Sequence, residues 1–269
     1  MPYSTSYVGR CQRPATTRRA LALFAGLLLL CAAACGTEKA AGPLQPAEMQ
    51  GRVRFINLIT DTTRGRVNVN LERLPFGVNL TYTQSTPATL ASPNTASYAA
   101  ILTGDRTLDL KRTADTTVIV ASISVSVSEG VDRSIYAIGG TGATAIAGFA
   151  TTDTNPATPA TQVRLRVVQL SPTAGAVDVF LTPAGADLAA AAPTAANLAY
   201  RSVSTYFTAA PGSYQLRAVP AGTAPARRAA NVTINLASLV LGGGTGRTLV
   251  AADNNVGGAP LRFFVLADR

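Results

Sequence analysis

The sequence predicts an all-β protein with two tandem immunoglobulin-like antiparallel β-sandwich domains after an N-terminal signal helix. Three observations predict this fold class: period-two alternation, turn-forming residues between the alternating runs, and an internal repeat. Apolar and polar residues alternate with period two over most of the chain after Gln50, most clearly at 121–128, where Ala, Ile and Val alternate with Ser. These runs are separated by Gly, Pro and Asn, which favour turns. No stripe with helical period and comparable length follows Cys35.

The internal repeat is collinear over two units of about 100 residues each, a size that buries its own core without disulfides. Residues 53–58 (VRFINL) match residues 165–170 (LRVVQL). Further matched pairs follow in the same order: 67–69 with 177–179, 79–82 with 197–200, Tyr98 with Tyr206, 133–137 with 247–251, and 149–153 with 264–268. A propeller or solenoid would show shorter and more numerous repeats.

The repeat also gives the expected domain boundaries. We predict a lipoprotein signal peptide at 1–34, a flexible tether at 35–50, a first β-sandwich repeat at 51–153, a Pro/Thr linker at 154–162 and a second β-sandwich repeat at 163–269.

The N-terminal segment has the order of a bacterial secretory signal. Four arginines precede an apolar run at 21–30, and small residues lead to Cys35. A membrane span needs about 20 apolar residues, so this run is too short to be one. A cysteine at the cleavage point is where a lipoprotein receives its acyl chains, such as palmitate. We therefore predict lipid attachment at Cys35.

Alternatives to this interpretation stay open. Cys31 is a competing acceptor, although the bulky Leu30 before it fits the peptidase pattern less well. Simple cleavage and release without lipid is another possibility. Residues 17–21 resemble a twin-arginine signal, so the sequence leaves the choice between the Sec and twin-arginine routes undecided.

Composition excludes several kinds of chemistry. The chain has no His and no Trp, and its three cysteines (Cys11, Cys31 and Cys35) all lie in or at the end of the export segment. A His-based nucleophile and a Cys/His zinc site are therefore impossible after processing. We expect no enzyme, no catalytic residue, no cofactor and no metal site. A carboxylate-based hydrolase is the remaining catalytic alternative.

The positive charge predicts no nucleic-acid partner. The formal charge is +9, and the four arginines of the signal peptide reduce it to +5 when they are removed. The remaining arginines alternate with apolar residues, as in 52–55 and 163–166, which places them on the solvated face of a strand. Nucleic-acid binding requires a dense basic patch instead. Acidic polymers of the cell envelope are the favoured class of charged partner.

The second unit opens with the stretch 165–172 (LRVVQLSP), followed by VDVF at 177–180, and later has an aromatic-to-Pro-Gly segment from Tyr206 to Gly212. These stretches resemble the opening strands and the aromatic-to-Pro-Gly segment of the bacterial domain-of-unknown-function family DUF4397. Asn57 and Gln169 stand where the family has a His. The resemblance covers both units, and it implies tandem β-sandwich domains on an exported or surface protein. It implies no known activity.

Several further features have a structural and a functional interpretation. We expect the glycine runs at 139–142 and 242–246 to form hairpin turns rather than phosphate loops. Asp178 is expected to cap a turn, with a cation site as the alternative. The Ser122–Ser128 stripe predicts a solvated sheet face. Four repeat-equivalent tyrosines predict core or corner packing, with sugar stacking as the alternative: Tyr82, Tyr98, Tyr200 and Tyr206.

The sequence as a whole predicts an exported, lipid-anchored protein of the cell envelope. We expect a non-catalytic binding or structural display module, in the outer membrane if the organism has two membranes. Its expected partners are the membrane, through the lipid on Cys35, and an envelope polymer or protein. A carbohydrate- or cell-wall-binding module is the main alternative. The ligand and the oligomeric state do not follow from the sequence.

Overall fold

Strands dominate the residues that the structure, a computed structural model, describes, which are 49–87 and 98–269. The described residues belong to one unit, Glu48–Arg269. The predicted signal helix, most of the predicted tether and Cys35 lie outside the described residues. Helical structure in the described part is limited to three short 3₁₀ turns. Within the same part of the chain, no helix is long and apolar enough to cross a membrane.

Nine strands form a first sandwich. They are β1 (Gln50–Ile59), β2 (Val67–Leu71), β3 (Leu74–Leu80), β4 (Ser85–Thr86), β5 (Ala99–Leu102), β6 (Gly104–Arg112), β7 (Asp115–Val127), β8 (Asp132–Gly139) and β9 (Ala147–Asp153).

Nine further strands form a second sandwich in the same order. They are β10 (Val163–Gln169), β11 (Val177–Thr182), β12 (Ala195–Leu198), β13 (Ser202–Val203), β14 (Phe207–Ala209), β15 (Gly212–Pro220), β16 (Ile234–Leu241), β17 (Thr245–Ala252) and β18 (Arg262–Asp268).

The two sandwiches have the same topology. In the first, one sheet has the order β4-β1-β8-β9 with β5 also paired to β1, and the other has the order β3-β2-β6-β7. In the second, the corresponding sheets are β13-β10-β17-β18, with β14 paired to β10, and β12-β11-β15-β16. The predicted all-β fold of two β-sandwich domains is confirmed.

One pairing in each sandwich differs from a wholly antiparallel arrangement. β1 pairs in parallel with β8, and β10 pairs in parallel with β17. The first strand of each sandwich therefore lies at the centre of its sheet, with short antiparallel strands along its other edge.

Each sandwich has its own apolar core between its two sheets. Phe55, Leu108 and Ile135 lie in the first core, and Leu165 and Leu216 lie in the second, all completely buried. The side chains of these residues point to one face of their strands. The opposite face of β1, β8, β10 and β17 is also buried, which explains why these strands have almost no exposed residue.

That second buried face is where the sandwiches meet. We call the contact between the β1/β8/β9 sheet and the β10/β17/β18 sheet the interface. A separate apolar cluster fills its centre: Ile56, Leu58, Tyr136, Ile138, Val168, Leu170 and Val250. The fold is consequently a stack of four sheets, with the two interface sheets inside.

Candidate functional site

One end of the interface carries a cluster of buried charged side chains. The first half of this cluster surrounds Arg54. Arg54 projects from β1 on the interface face and is 4% exposed. Its Nη2 donates to Asp268 Oδ1 of the second sandwich at 2.7 Å, and its Nε donates to Ser134 Oγ at 2.6 Å. The guanidinium lies over the ring of Tyr98 at 4.7 Å. Arg54 therefore joins its own sheet to the other sandwich.

The second half of the cluster repeats this arrangement in the opposite direction. Arg166 of β10 donates from Nη2 to Asp153 of the first sandwich, and its Nε donates to Thr248 Oγ1 at 2.9 Å. The guanidinium lies over the ring of Tyr206 at 5.0 Å. We call Arg54, Asp153, Arg166 and Asp268 the arginine–aspartate cluster. Each sandwich supplies one arginine and one aspartate, and each arginine binds the aspartate of the other sandwich.

The two aspartates of the cluster converge on Arg54. Arg54 Nη2 lies 3.6 Å from Asp153 Oδ2 as well as 2.7 Å from Asp268 Oδ1. Both aspartate side chains are completely buried. Asp153 Oδ2 also accepts hydrogen bonds from Ser134 and Tyr98, and Asp268 accepts one from Thr248. These carboxylates are occupied by protein groups, which is the arrangement of a structural ion-pair cluster.

The surroundings of the cluster set the protonation states of its arginine and tyrosine side chains. Burial lowers the pKa of Arg54, but its electrostatic interactions with Tyr98 and with the carboxylates of Asp268 and Asp153 raise it more, so that the net shift is upward and Arg54 stays charged. Burial raises the pKa of Tyr98, which therefore stays a neutral hydrogen-bond donor. Burial also raises the pKa of Tyr136, to about 12.

The structure corrects the predicted position of the alternating arginines. Arg54, Arg164 and Arg166 were expected on a solvated strand face, and all three are buried. The alternation is real, because the intervening residues point into the sandwich cores. The arginine face meets the other sandwich instead of water, and period-two patterning does not contain that information.

The linker segment is bound to both sandwiches through Asn155. Its Nδ2 donates to Asp132 Oδ2 at 2.6 Å, and its Oδ1 accepts from Arg164 Nη2 at 3.0 Å. Asp132 also accepts from Arg52 Nε at 2.5 Å. Asn155 therefore connects an ion pair of the first sandwich to an arginine of the second.

The two positions where the resembled family has a His carry buried side-chain amides. Asn57 Nδ2 donates to Gly65 O at 2.6 Å, and its Oδ1 accepts from Ile59 N at 3.1 Å. Gln169 Nε2 donates to Gly175 O at 2.7 Å, and its Oε1 accepts from Ser171 N at 3.0 Å. In both sandwiches one amide closes the loop after the first strand through one donated and one accepted bond.

Asp178 caps local backbone. Its Oδ1 accepts from Asn197 N at 2.7 Å, and its Oδ2 accepts from Gly222 N at 3.1 Å. Asn68, its repeat equivalent, accepts from Asn79 N in the same way at 2.7 Å. Among the described residues, no group of three or more His, Cys, Asp or Glu could hold a metal ion.

The repeat-equivalent tyrosines have three different environments. Tyr98 and Tyr206 lie under the arginines of the cluster. Tyr82 packs against the interface and donates its hydroxyl to Asp253 O at 2.5 Å. Tyr200 is 36% exposed. Packing therefore accounts for three of the four.

The serine stripe and the glycine runs lie at the surface and in turns. Ser122, Ser124, Ser126 and Ser128 are all exposed, the first three on β7. Gly140 and Gly244 adopt positive φ angles between strands. The run at 139–142 lies in the hairpin between β8 and β9, whereas the run at 242–246 connects β16 to β17 of the other sheet, so the predicted hairpin turn is wrong for the second run.

At the other end of the interface lies an open cleft with both sandwiches in its walls. Its two adjoining parts have cavity volumes of about 210 and 340 Å³, and both are lined by Thr81, Tyr82 and Asn255. Asp61 and Arg66 line the first part, and Thr83 and Arg262 line the second. We call this region the interface cleft. No sequence pattern indicated it, because its lining residues come from separate loops and strand ends of both repeats.

The fold and its sites define a tandem β-sandwich protein with a buried ion-pair interface. Residues 51–180 match the model of the family described as Domain of unknown function (DUF4397). The match confirms the family resemblance over this stretch, which covers the first sandwich and continues into β11. A second copy of the family domain stays a prediction. No curated protein matches the sequence.

Proposed function

We propose that the chain is an exported, lipid-anchored cell-envelope protein whose two sandwiches serve as a non-catalytic binding or display module. The order of arginines, apolar residues and small residues before Cys35 supports the anchor. Each buried CH₂ of an acyl chain contributes about 0.8 kcal/mol, so several chains on Cys35 would hold the protein firmly. The tether would then give the sandwiches reach from the membrane surface.

One observation mainly supports a non-catalytic role: the buried carboxylates are bound by other groups of the protein. Five aspartates are buried in the described part of the chain, and protein groups bind every one of them. Arginine, hydroxyl, amide or backbone N–H partners are present at each: Asp132, Asp153, Asp178, Asp253 and Asp268. A carboxylate-based hydrolase, the catalytic alternative, needs two carboxylates that face a substrate. Asp153 and Asp268 come together, but they face the two arginines.

A second candidate function is the binding of an envelope polymer. The interface cleft favours it, because this open region carries Arg66 and Arg262 and lies between the two sandwiches.

The anchor is tested by Cys35→Ser in the native host, with Cys31→Ser as the matched control. We expect the Cys35→Ser protein to lose incorporated palmitate and to leave the membrane fraction, and the control to behave as the wild type. A Cys35→Ser protein that stays wholly membrane-bound would contradict the anchor. Palmitate lost only in Cys31→Ser would move the acceptor to that residue.

A further inference from the structure

The interface cleft is the strongest unassigned feature among the described residues, and its geometry comes from both sandwiches. Arg66 directly precedes β2, and Tyr82 lies in the turn between β3 and β4 of the first sandwich. Asn255 lies in the loop between β17 and β18, and Arg262 begins β18. The two parts of the cleft together fall in the size range of small-ligand sites.

The charge of the cleft is positive. Asp61, the carboxylate that lines it, already accepts from Arg64 Nε at 2.5 Å and from the backbone N–H of Thr63 and Arg64. Arg66 and Arg262 are exposed, and neither guanidinium makes a hydrogen bond or ion pair with another described residue. Two arginine forks are thus available to an anion, and guanidinium groups bind carboxylates in a bidentate geometry.

The remaining lining fits a sugar. Thr81, Thr83 and Asn255 supply hydroxyl and amide groups, which match the hydroxyls of a glycan. Tyr82 also lines the cleft, and its position is fixed because its hydroxyl donates to Asp253 O. A polyphosphate would accept from the arginines and from these donors, but it has no hydroxyl to donate to the hydroxyl and amide oxygens of the cleft.

We infer that the interface cleft binds the carboxylate of a uronic-acid unit in an acidic glycan, with Arg66 and Arg262 as the anion-binding residues. The inference rests on the polymer-binding part of the proposed function and names its ligand class. It is independent of Cys35, so a failed binding test and a failed anchor test are separate results.

The test measures binding of oligogalacturonate to the full chain purified in detergent by isothermal titration calorimetry. Arg66→Gln and Arg262→Gln are the variants, and Arg227→Gln is the matched control. Arg227 is equally exposed and makes no side-chain hydrogen bond with a described residue, but it lies in a 3₁₀ turn away from the cleft. We expect the affinity for oligogalacturonate to fall about tenfold in each cleft variant, because a charge-assisted hydrogen bond is lost. The affinity should stay unchanged in the control.

Two further ligands identify the chemistry. A fully methyl-esterified oligogalacturonate should bind at least tenfold more weakly, because it lacks the free carboxylate. Inorganic polyphosphate of equal charge should also bind more weakly than oligogalacturonate. The inference is overturned by no binding of oligogalacturonate, by an equal loss of affinity in Arg227→Gln, or by equal binding of the ester. Equal or tighter binding of polyphosphate would overturn the assignment to a glycan.

Discussion

Arg54 and Asp268 join the first and the last strand of the described fold, with 2.7 Å between Nη2 and Oδ1 and both side chains buried. Arg166 and Asp153 form the reciprocal pair between the same two sheets. Each sandwich thus supplies the carboxylate that neutralises the buried arginine of the other. A buried charge without its partner is expensive, so the cluster makes stability sensitive to any one of its four members.

We predict that Asp268→Asn lowers the free energy of unfolding by about 3 kcal/mol, because Arg54 would lose its nearest carboxylate while staying buried. Asp153→Asn should have a similar effect through Arg166. The control is Glu72→Gln, which removes the exposed pair between Glu72 and Arg106 at 3.2 Å and should change stability by less than about 1 kcal/mol. Urea denaturation at pH 7 measures all three. Equal effects in the buried and the exposed variants would contradict a structural role for the cluster.

The hydroxyl of Tyr136 gives a prediction of alkaline sensitivity. Burial raises its pKa to about 12, whereas an unfolded tyrosine ionises near pH 10. The stabilising effect of the neutral buried form is therefore complete below about pH 10 and is lost as pH rises toward 12, at about 3 kcal/mol in full. Denaturant titrations between pH 8 and 11.5, in steps, should show this fall in stability. Flat stability across this range would contradict it.

Tyr136→Phe separates this residue from the other tyrosines. The hydroxyl of Tyr136 has no hydrogen-bond partner among the described residues, so its removal should leave stability at pH 7 unchanged or raise it by up to about 1 kcal/mol. The same variant should show a shallower loss of stability above pH 10 than the wild type. A large destabilisation at pH 7 would show that the hydroxyl has a partner in solution.

Gly257 tests the contact between the β17–β18 loop and the first sandwich. It has φ +84°, and a Cβ added there would lie 2.3 Å from Thr141 Oγ1 across the contact. Gly257→Ala should therefore destabilise the protein by about 2–3 kcal/mol. Gly258→Ala is the control, because φ is +78° but an added Cβ meets nothing within 4 Å. The difference in thermal unfolding between the two variants measures the steric part alone, and no difference would contradict the contact.

Gln169 tests the role of the family's His position. Gln169→Leu should cost about 2 kcal/mol, because Gly175 O and Ser171 N would lose the buried amide that binds them. Gln169→His should cost less, since an imidazole offers one donor and one acceptor. Gln162→Leu is the exposed control and should be neutral. If both Gln169 variants unfold like the wild type in urea, the amide does not hold the loop.

The sequence predicted much of the fold because a repeat and a period-two pattern are local signals. The matched pairs Arg54 with Arg166 and Tyr98 with Tyr206 occupy equivalent places in the two sandwiches. The partners of these residues could not be predicted. Alternation shows that one face of a strand is apolar and the other polar, but it does not show what covers the polar face. The interface cleft was missed for the same reason. Arg66 and Arg262 carry no local motif, and only the packing of the two sandwiches brings both to the interface cleft.

The separation of Arg54 from Asp268 along the chain, 214 residues, has a consequence for the order of folding. β1 emerges first and forms the centre of its sheet, but the arginine on its far face has no carboxylate from the other sandwich until β18 has been made and docked. The first sandwich must therefore keep a charged and apolar face solvated until then, and contacts so distant in sequence form slowly. Any dependence of folding on a chaperone should therefore decrease only when the last strand joins the sheet.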